Sequence, residues 1–178
     1  MGKHWVNRKI IDARDWLTYM ATIGELCRQG VVELIEVELE PGEQPERLVY
    51  CHPRVVNWLE TVLPTLQTDG YIAGALTPSE QAETLLYQFI AGRSLSAMPP
   101  KSMRPETAGI WELRTYDLRF FGWFWKKGVF VLSSIETKAK CLRIRGLYEG
   151  HRDQSKRDRD NLDLDEPKYI SGEIEDVI

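Results

Sequence analysis

Arg114, Arg119, Lys138 and Lys140 are the residues whose type and spacing could carry chemistry together. RNA cleavage proceeds by attack of a 2′-hydroxyl on the neighbouring phosphate. The transition state gains negative charge, which fixed cations stabilise. It also needs a proton acceptor and a proton donor, and His151, Tyr148 or a Lys of lowered pKa has the right chemistry. This route calls for no metal and no cofactor. It does require the cations to be free, so ion pairs with neighbouring carboxylates would remove it.

Three segments of strand-forming residues position these cations. Segments 110–116, 119–125 and 129–136 are rich in Trp, Phe, Val and Ile, and short turns separate them. An up-down-up meander brings Arg114, Arg119, Lys138 and Lys140 to one end. At about 3.3 Å per residue, the turn carrying Lys126 and Lys127 lies roughly 20 Å away. Arg143 and Arg145 extend the larger group, and Lys126, Lys127, Arg143 and Arg145 are candidate RNA contacts. The run from Arg152 to Arg159 alternates with Asp153 and Asp158 and reads as a solvated face. The aromatic stretch 120–125 reads as core, although Phe121 and Trp123 share the face of Arg119, leaving one of them a chance to stack on a base.

The rest of the chain must cover that meander. Apolar spacing predicts a helix over 10–29, and alternation predicts a strand over 31–40 with Glu36, Glu38 and Glu40 on its wet face. A short strand follows at 47–52. Pro53 then opens a helix that Pro64 ends or kinks. Thr77-Pro78-Ser79-Glu80 is a capping box, starting a helix that Gly92 closes. Residues 93–108, with three Pro, read as a mobile loop, and 142–161 as a charged helix. The element order predicts an α+β fold. Its small antiparallel sheet packs on two helices.

Charge is distributed in blocks. The 178 residues carry a net charge of −4, with net −5 over 1–100, +6 over 101–160 and −5 over 161–178. A basic middle suits an anionic partner such as RNA. The acidic tail is expected to be solvated or to fold back over the basic end. Three scattered cysteines fit a reducing cytoplasm and no metal site. No stretch is apolar enough for a membrane helix, so no membrane is expected as partner. Dinucleotide, P-loop, zincin and serine-hydrolase signatures are absent.

Gly109-Ile110-Trp111-Glu112-Leu113-Arg114 resembles the most characteristic strand of the RelE/HigB toxin superfamily, in particular its phage-associated HigB-like branch. Leu48-Val49-Tyr50 followed by Asn57-Trp58-Leu59 is similar to that family's opening strand and helix. Its Arg-plus-aromatic strand is matched by 118–123, and its last strand by 129–132 with Lys138 and Lys140 beyond. The resemblance spans roughly half the chain. It implies a RelE-like domain over 47–160, an N-terminal helix-strand extension over 1–46 and an acidic tail over 161–178. It also implies a metal-independent endoribonuclease that cleaves mRNA on the ribosome and has a cognate antitoxin partner. The basic residues it carries over are Arg114, Arg119, Lys138 and Lys140. The alternative is a non-catalytic phage or mobile-element protein that uses this fold to bind a protein or nucleic acid. A nucleic-acid-binding regulator is a third reading, though no recognition helix is evident.

Overall fold

Strand formation is densest where the sequence is most aromatic, and the sheet is built outward from there. The computed structural model describes residues 21–68 and 75–178. In chain order it contains α1 (Ala21–Arg28), β1 (Glu33–Ile35), β2 (Leu48–Cys51), α2 (Pro53–Thr61), α3 (Pro78–Ile90), β3 (Lys101–Ser102) and β4 (Trp111–Arg114). There follow β5 (Leu118–Lys126), β6 (Val129–Thr137), α4 (Lys138–Arg143), α5 (Leu147–Asn161) and α6 (Ile174–Val177). This is a mixed α+β architecture around one six-stranded open sheet, ordered β1-β2-β6-β5-β4-β3.

The antiparallel meander β4-β5-β6 forms as its alternation and turns dictate. The sheet as a whole is not purely antiparallel. β2 pairs in parallel with β6, aligning Leu48 with Val129 and Cys51 with Leu132. The intervening chain includes α2 and α3, the kind of long crossover that a parallel pair requires. Nor is the sheet covered on one side alone. Phe120, Phe124, Phe130 and Leu132 pack towards Leu59 of α2 and Leu86 and Phe89 of α3. Phe121, Trp123, Trp125 and Val131 face the opposite layer, made by Ile23 and Leu26 of α1, Tyr148 of α5, and Leu162 and Leu164. Phe121 and Trp123 are both fully buried, so neither is a stacking platform. The layer of α1, α5 and the tail segment explains the difference.

The local signals work as physical chemistry requires. Thr77 Oγ1 accepts from the Glu80 amide while the Glu80 carboxylate accepts from the Thr77 amide, and Pro78 occupies the first turn of α3. A 3-10 turn over Leu63–Thr65 follows α2, with Pro64 near its start. Gly122 sits at a register shift where a Cβ would lie 2.1 Å from the Val131 carbonyl oxygen, so no larger residue fits the close strand approach.

Several segments differ from expectation. The strand over 31–40 is confined to Glu33–Ile35, because only those residues find partners on β2. Residues 93–108 are partly structured. Lys101 and Ser102 pair with β4 and a 3-10 turn spans Glu106–Ala108. Of the helix expected over 10–29, positions before 21 lie outside the described residues, as do residues 69–74 between α2 and α3. Among the described residues, no helix is long and apolar enough to cross a membrane.

Phe124 touches the rings of Phe89, Trp111 and Phe130 at centroid distances of 6.2, 5.7 and 5.0 Å. Truncating it leaves a cavity among rigid rings. Phe124→Ala is expected to cost about 3–5 kcal/mol, read as a lowered urea midpoint.

Candidate functional site

The register gathers the predicted cations at one rim. Arg114 of β4 lies opposite Arg119 of β5, and Arg119 lies opposite Glu136 of β6. α4 begins immediately after β6. Its start is fixed by Thr137 Oγ1, which accepts from the Lys140 amide at 3.2 Å, and by the Lys138 amide donating to the Asp117 carbonyl at 2.7 Å. Lys138 and Lys140 therefore stand on the same rim. The Lys138 ammonium lies 5.0 Å from the centre of the Tyr116 ring.

The cations converge, but they are not free. Period-2 alternation puts Glu112 on the same face as Arg114. Its carboxylate, 3% exposed, is 3.9 Å from Arg114 Nε and 3.9 Å from Arg119 Nε. At that separation these are charge contacts rather than hydrogen bonds. Arg119 Nη1 is spent on the Thr115 and Leu118 carbonyls, at 2.7 and 2.8 Å, and Arg114 Nη2 donates to the Pro99 carbonyl at 3.0 Å. Lys140 makes a close pair with Glu136, Nζ to Oε2 at 2.6 Å. Three of the four predicted cations thus meet a carboxylate, against the expectation of a free cluster. The same alternation that aligned the arginines also delivered Glu112 and Glu136.

The proposed proton carriers are sequestered by α5. The Tyr148 ring packs edge-on against Phe121 at 5.4 Å. Burial first, and the neighbouring Glu112 carboxylate second, push its phenol well above the ordinary tyrosine value. The His151 ring stacks flat on Phe121 at 4.7 Å and shares a 2.9 Å hydrogen bond between Nδ1 and Ser134 Oγ. Its Nε2 is buried without a hydrogen-bond partner among the described residues. Burial pulls the His151 pKa below its ordinary value, against the opposing pull of Glu136. Cys141, beside the same cluster, is pushed up to about 11 by burial and then by Glu136, which leaves it a thiol.

A second polar node was not legible from sequence spacing. Asp158 of α5 accepts from Arg54 of α2, from Ser133 of β6, and from Gln154 at 2.8 Å. Arg54 Nε also donates to the Ser133 carbonyl at 3.0 Å, and His52 Nε2 lies 3.9 Å from Asp158. Ser133 is fully buried and its hydroxyl is directed at the carboxylate. The node fastens α5 across the sheet to the start of α2. Its members come from three distant segments, and no motif links them.

The remaining predicted cations divide. Lys127 Nζ donates to the Glu175 carbonyl at 2.6 Å, and Lys126 stands over the Trp125 ring at 4.5 Å. They occupy the opposite end of the meander, where Gly128 donates to the Val177 carbonyl at 2.8 Å. The tail is therefore docked at the far end, and does not fold over the Arg114 rim. Leu162, Leu164 and Val177 are buried. Arg152 pairs with Asp153 at 2.7 Å and Arg159 with Asp160 at 3.2 Å. The run is nonetheless not the solvated face its mixed charge predicted: Ser155, Asp158 and Arg159 are buried, because α5 turns them toward the sheet, where Arg159 donates to the Ala108 carbonyl and lies over the Tyr169 ring. Arg143 and Arg145 are exposed beyond the rim.

No family model, curated protein or solved structure matches this chain.

His52 and His151 both have pKa values lowered by burial, which disfavours the charged ring. The unfolded state therefore binds protons more readily. The stability they support is complete above about pH 6.5 and is lost as the pH falls toward the folded values. Replacing both by Gln should flatten the stability profile between roughly pH 7 and pH 5 in urea titrations. Deleting residues 161–178 should lower the thermal midpoint by removing the buried Leu162, Leu164 and Val177 side chains.

Proposed function

We propose that this chain is a RelE/HigB-like protein that uses its fold for binding rather than for RNA cleavage. The fold part of this reading is supported by element order. β2, α2, α3, β4, β5 and β6 follow one another as the resemblance of segments 48–59, 109–114 and 118–132 implies. The single observation that favours binding over cleavage is the placement of Glu112 and Glu136 among Arg114, Arg119 and Lys140. A phosphorane would have to compete with these carboxylates for the same cations, in a setting where like charge is strongly unfavourable. The groups that would move protons are also withdrawn, with His151 flat on Phe121 and Tyr148 against Glu112.

A second reading keeps the toxin-type, metal-independent endoribonuclease acting on ribosome-bound mRNA, with an antitoxin as partner. It is favoured by the convergence of Arg114, Arg119, Lys138 and Lys140 beside Tyr148 and His151 on one rim. The buried Arg114 Nε also has no hydrogen-bond partner among the described residues, which leaves a donor in reserve.

Induced expression in a bacterial host, together with incubation of the purified chain with mRNA, separates the two. The binding reading expects normal growth and intact RNA. Growth arrest that Arg114→Ala with Lys138→Ala relieves would establish the nuclease instead. Removing the competing charges with Glu112→Gln and Glu136→Gln is expected to raise affinity for an RNA oligonucleotide. The gain should be about tenfold at low salt and shrink as salt is added.

A further inference from the structure

The connection from α4 to α5 departs from the rest of the rim in two respects. Residues 142–146 are all exposed, and they include two large aliphatic side chains, Leu142 at 76% and Ile144 at 41%. Arg143 and Arg145, interleaved with them, make no hydrogen bond or ion pair among the described residues. Every other rim cation discussed above is engaged by a carboxylate, a carbonyl or a ring. The carboxylates nearest in sequence are Glu136, held by Lys140, and Glu149 on the first turn of α5. The elbow is therefore an apolar pair in a positively charged setting, held outward by two helices that are themselves anchored. α4 is anchored through Thr137 and Asp117, and α5 through Asp158.

The chemistry discriminates among occupants. Leu and Ile offer no π-face for a base, so an RNA strand would satisfy the arginines and leave the aliphatic pair wet. Two aliphatic side chains are a small insertion for a lipid surface, where stable anchoring takes more apolar area. A protein segment covers both at once, with apolar anchors at the centre and charge at the border, as specific interfaces are built. Charge complementarity then fixes its sign. We propose that the α4–α5 elbow docks an acidic protein segment whose apolar side chains cover Leu142 and Ile144 and whose carboxylates meet Arg143 and Arg145. This inference rests on the binding reading of the function and names the surface that reading uses.

The test pans random displayed peptides against the full chain, with a Leu142→Ser/Arg143→Glu/Ile144→Ser/Arg145→Glu variant as the counter-target. Retained peptides are expected to be acidic and to carry at least two large apolar residues. Leu142→Ser with Ile144→Ser should weaken them by about tenfold or more in fluorescence anisotropy. Arg143→Glu with Arg145→Glu should weaken them and abolish their salt dependence. All four side chains are exposed, so an unchanged thermal midpoint verifies that each variant is folded. Neutral or basic selected peptides would overturn the proposal, as would indifference to Leu142→Ser with Ile144→Ser. An RNA oligonucleotide or phosphatidylserine vesicle that loses affinity through that aliphatic pair would also overturn it, by changing the class of partner. A dimer dissolved by the same substitutions in sedimentation would assign the elbow to a second copy of the chain. RNA cleavage by the intact protein would instead remove the functional reading while leaving the docking result to stand by itself.

Discussion

β5 has to be buried on both faces, and most of the architecture answers to that constraint. Six of its nine residues are aromatic or Leu, alternation sends them to opposite sides, and Phe120, Phe121, Trp123, Phe124 and Trp125 are all fully buried. A strand with one wet face could be served by two helices. This one needs α2 and α3 on one side and α1, α5 and the segment after α5 on the other. Burial of these five large rings is a substantial favourable contribution, since each is worth on the order of 1.5–3 kcal/mol on transfer from water. The second layer then dictates where α5 lies, and with it where Tyr148 and His151 can be.

Electrostatics on the rim follow from that placement. Covering Phe121 with His151 withdraws the imidazole from solvent, and burial keeps it neutral. Closing the layer also encloses Glu112, which must then remain near cations. The rim is thus partly compensated from within, two carboxylates standing among four cations. Positive charge is left uncommitted farther out, where the chain leaves α4 before entering α5. Sheet, rim and elbow form a gradient from dry core to partly compensated polar cluster to open cationic surface.

Much of the fold could be read from the residues. The capping box at Thr77, Pro53 at the start of α2 and the aromatic meander are local signals, and each acts within a few residues of itself. Convergence of Arg114, Arg119, Lys138 and Lys140 was legible for the same reason, since strand alternation and two short turns suffice. What escaped was non-local. Neither the parallel pairing of β2 with β6 nor the second covering layer has a local marker. The Asp158 node joins residues from α2, β6 and α5, and the docking of Val177 near Gly128 joins chain segments with no shared motif. The partnering of the arginines lay between the two cases. Glu112 stands two positions from Arg114, so its presence was visible, but its burial was not.

The parallel ladder between β2 and β6 has a consequence for biosynthesis. Its two strands lie about eighty residues apart in the chain, and loop closure of that length must precede any pairing. On the ribosome, β2, α2 and α3 emerge well before β6 exists. The apolar side chains of Val49, Leu59, Leu86 and Phe89 are then exposed while the nascent chain waits for its central strands. A slow stretch of translation before residue 129 would lengthen that interval, so the tempo of synthesis and the supply of chaperones bear directly on the yield of native protein.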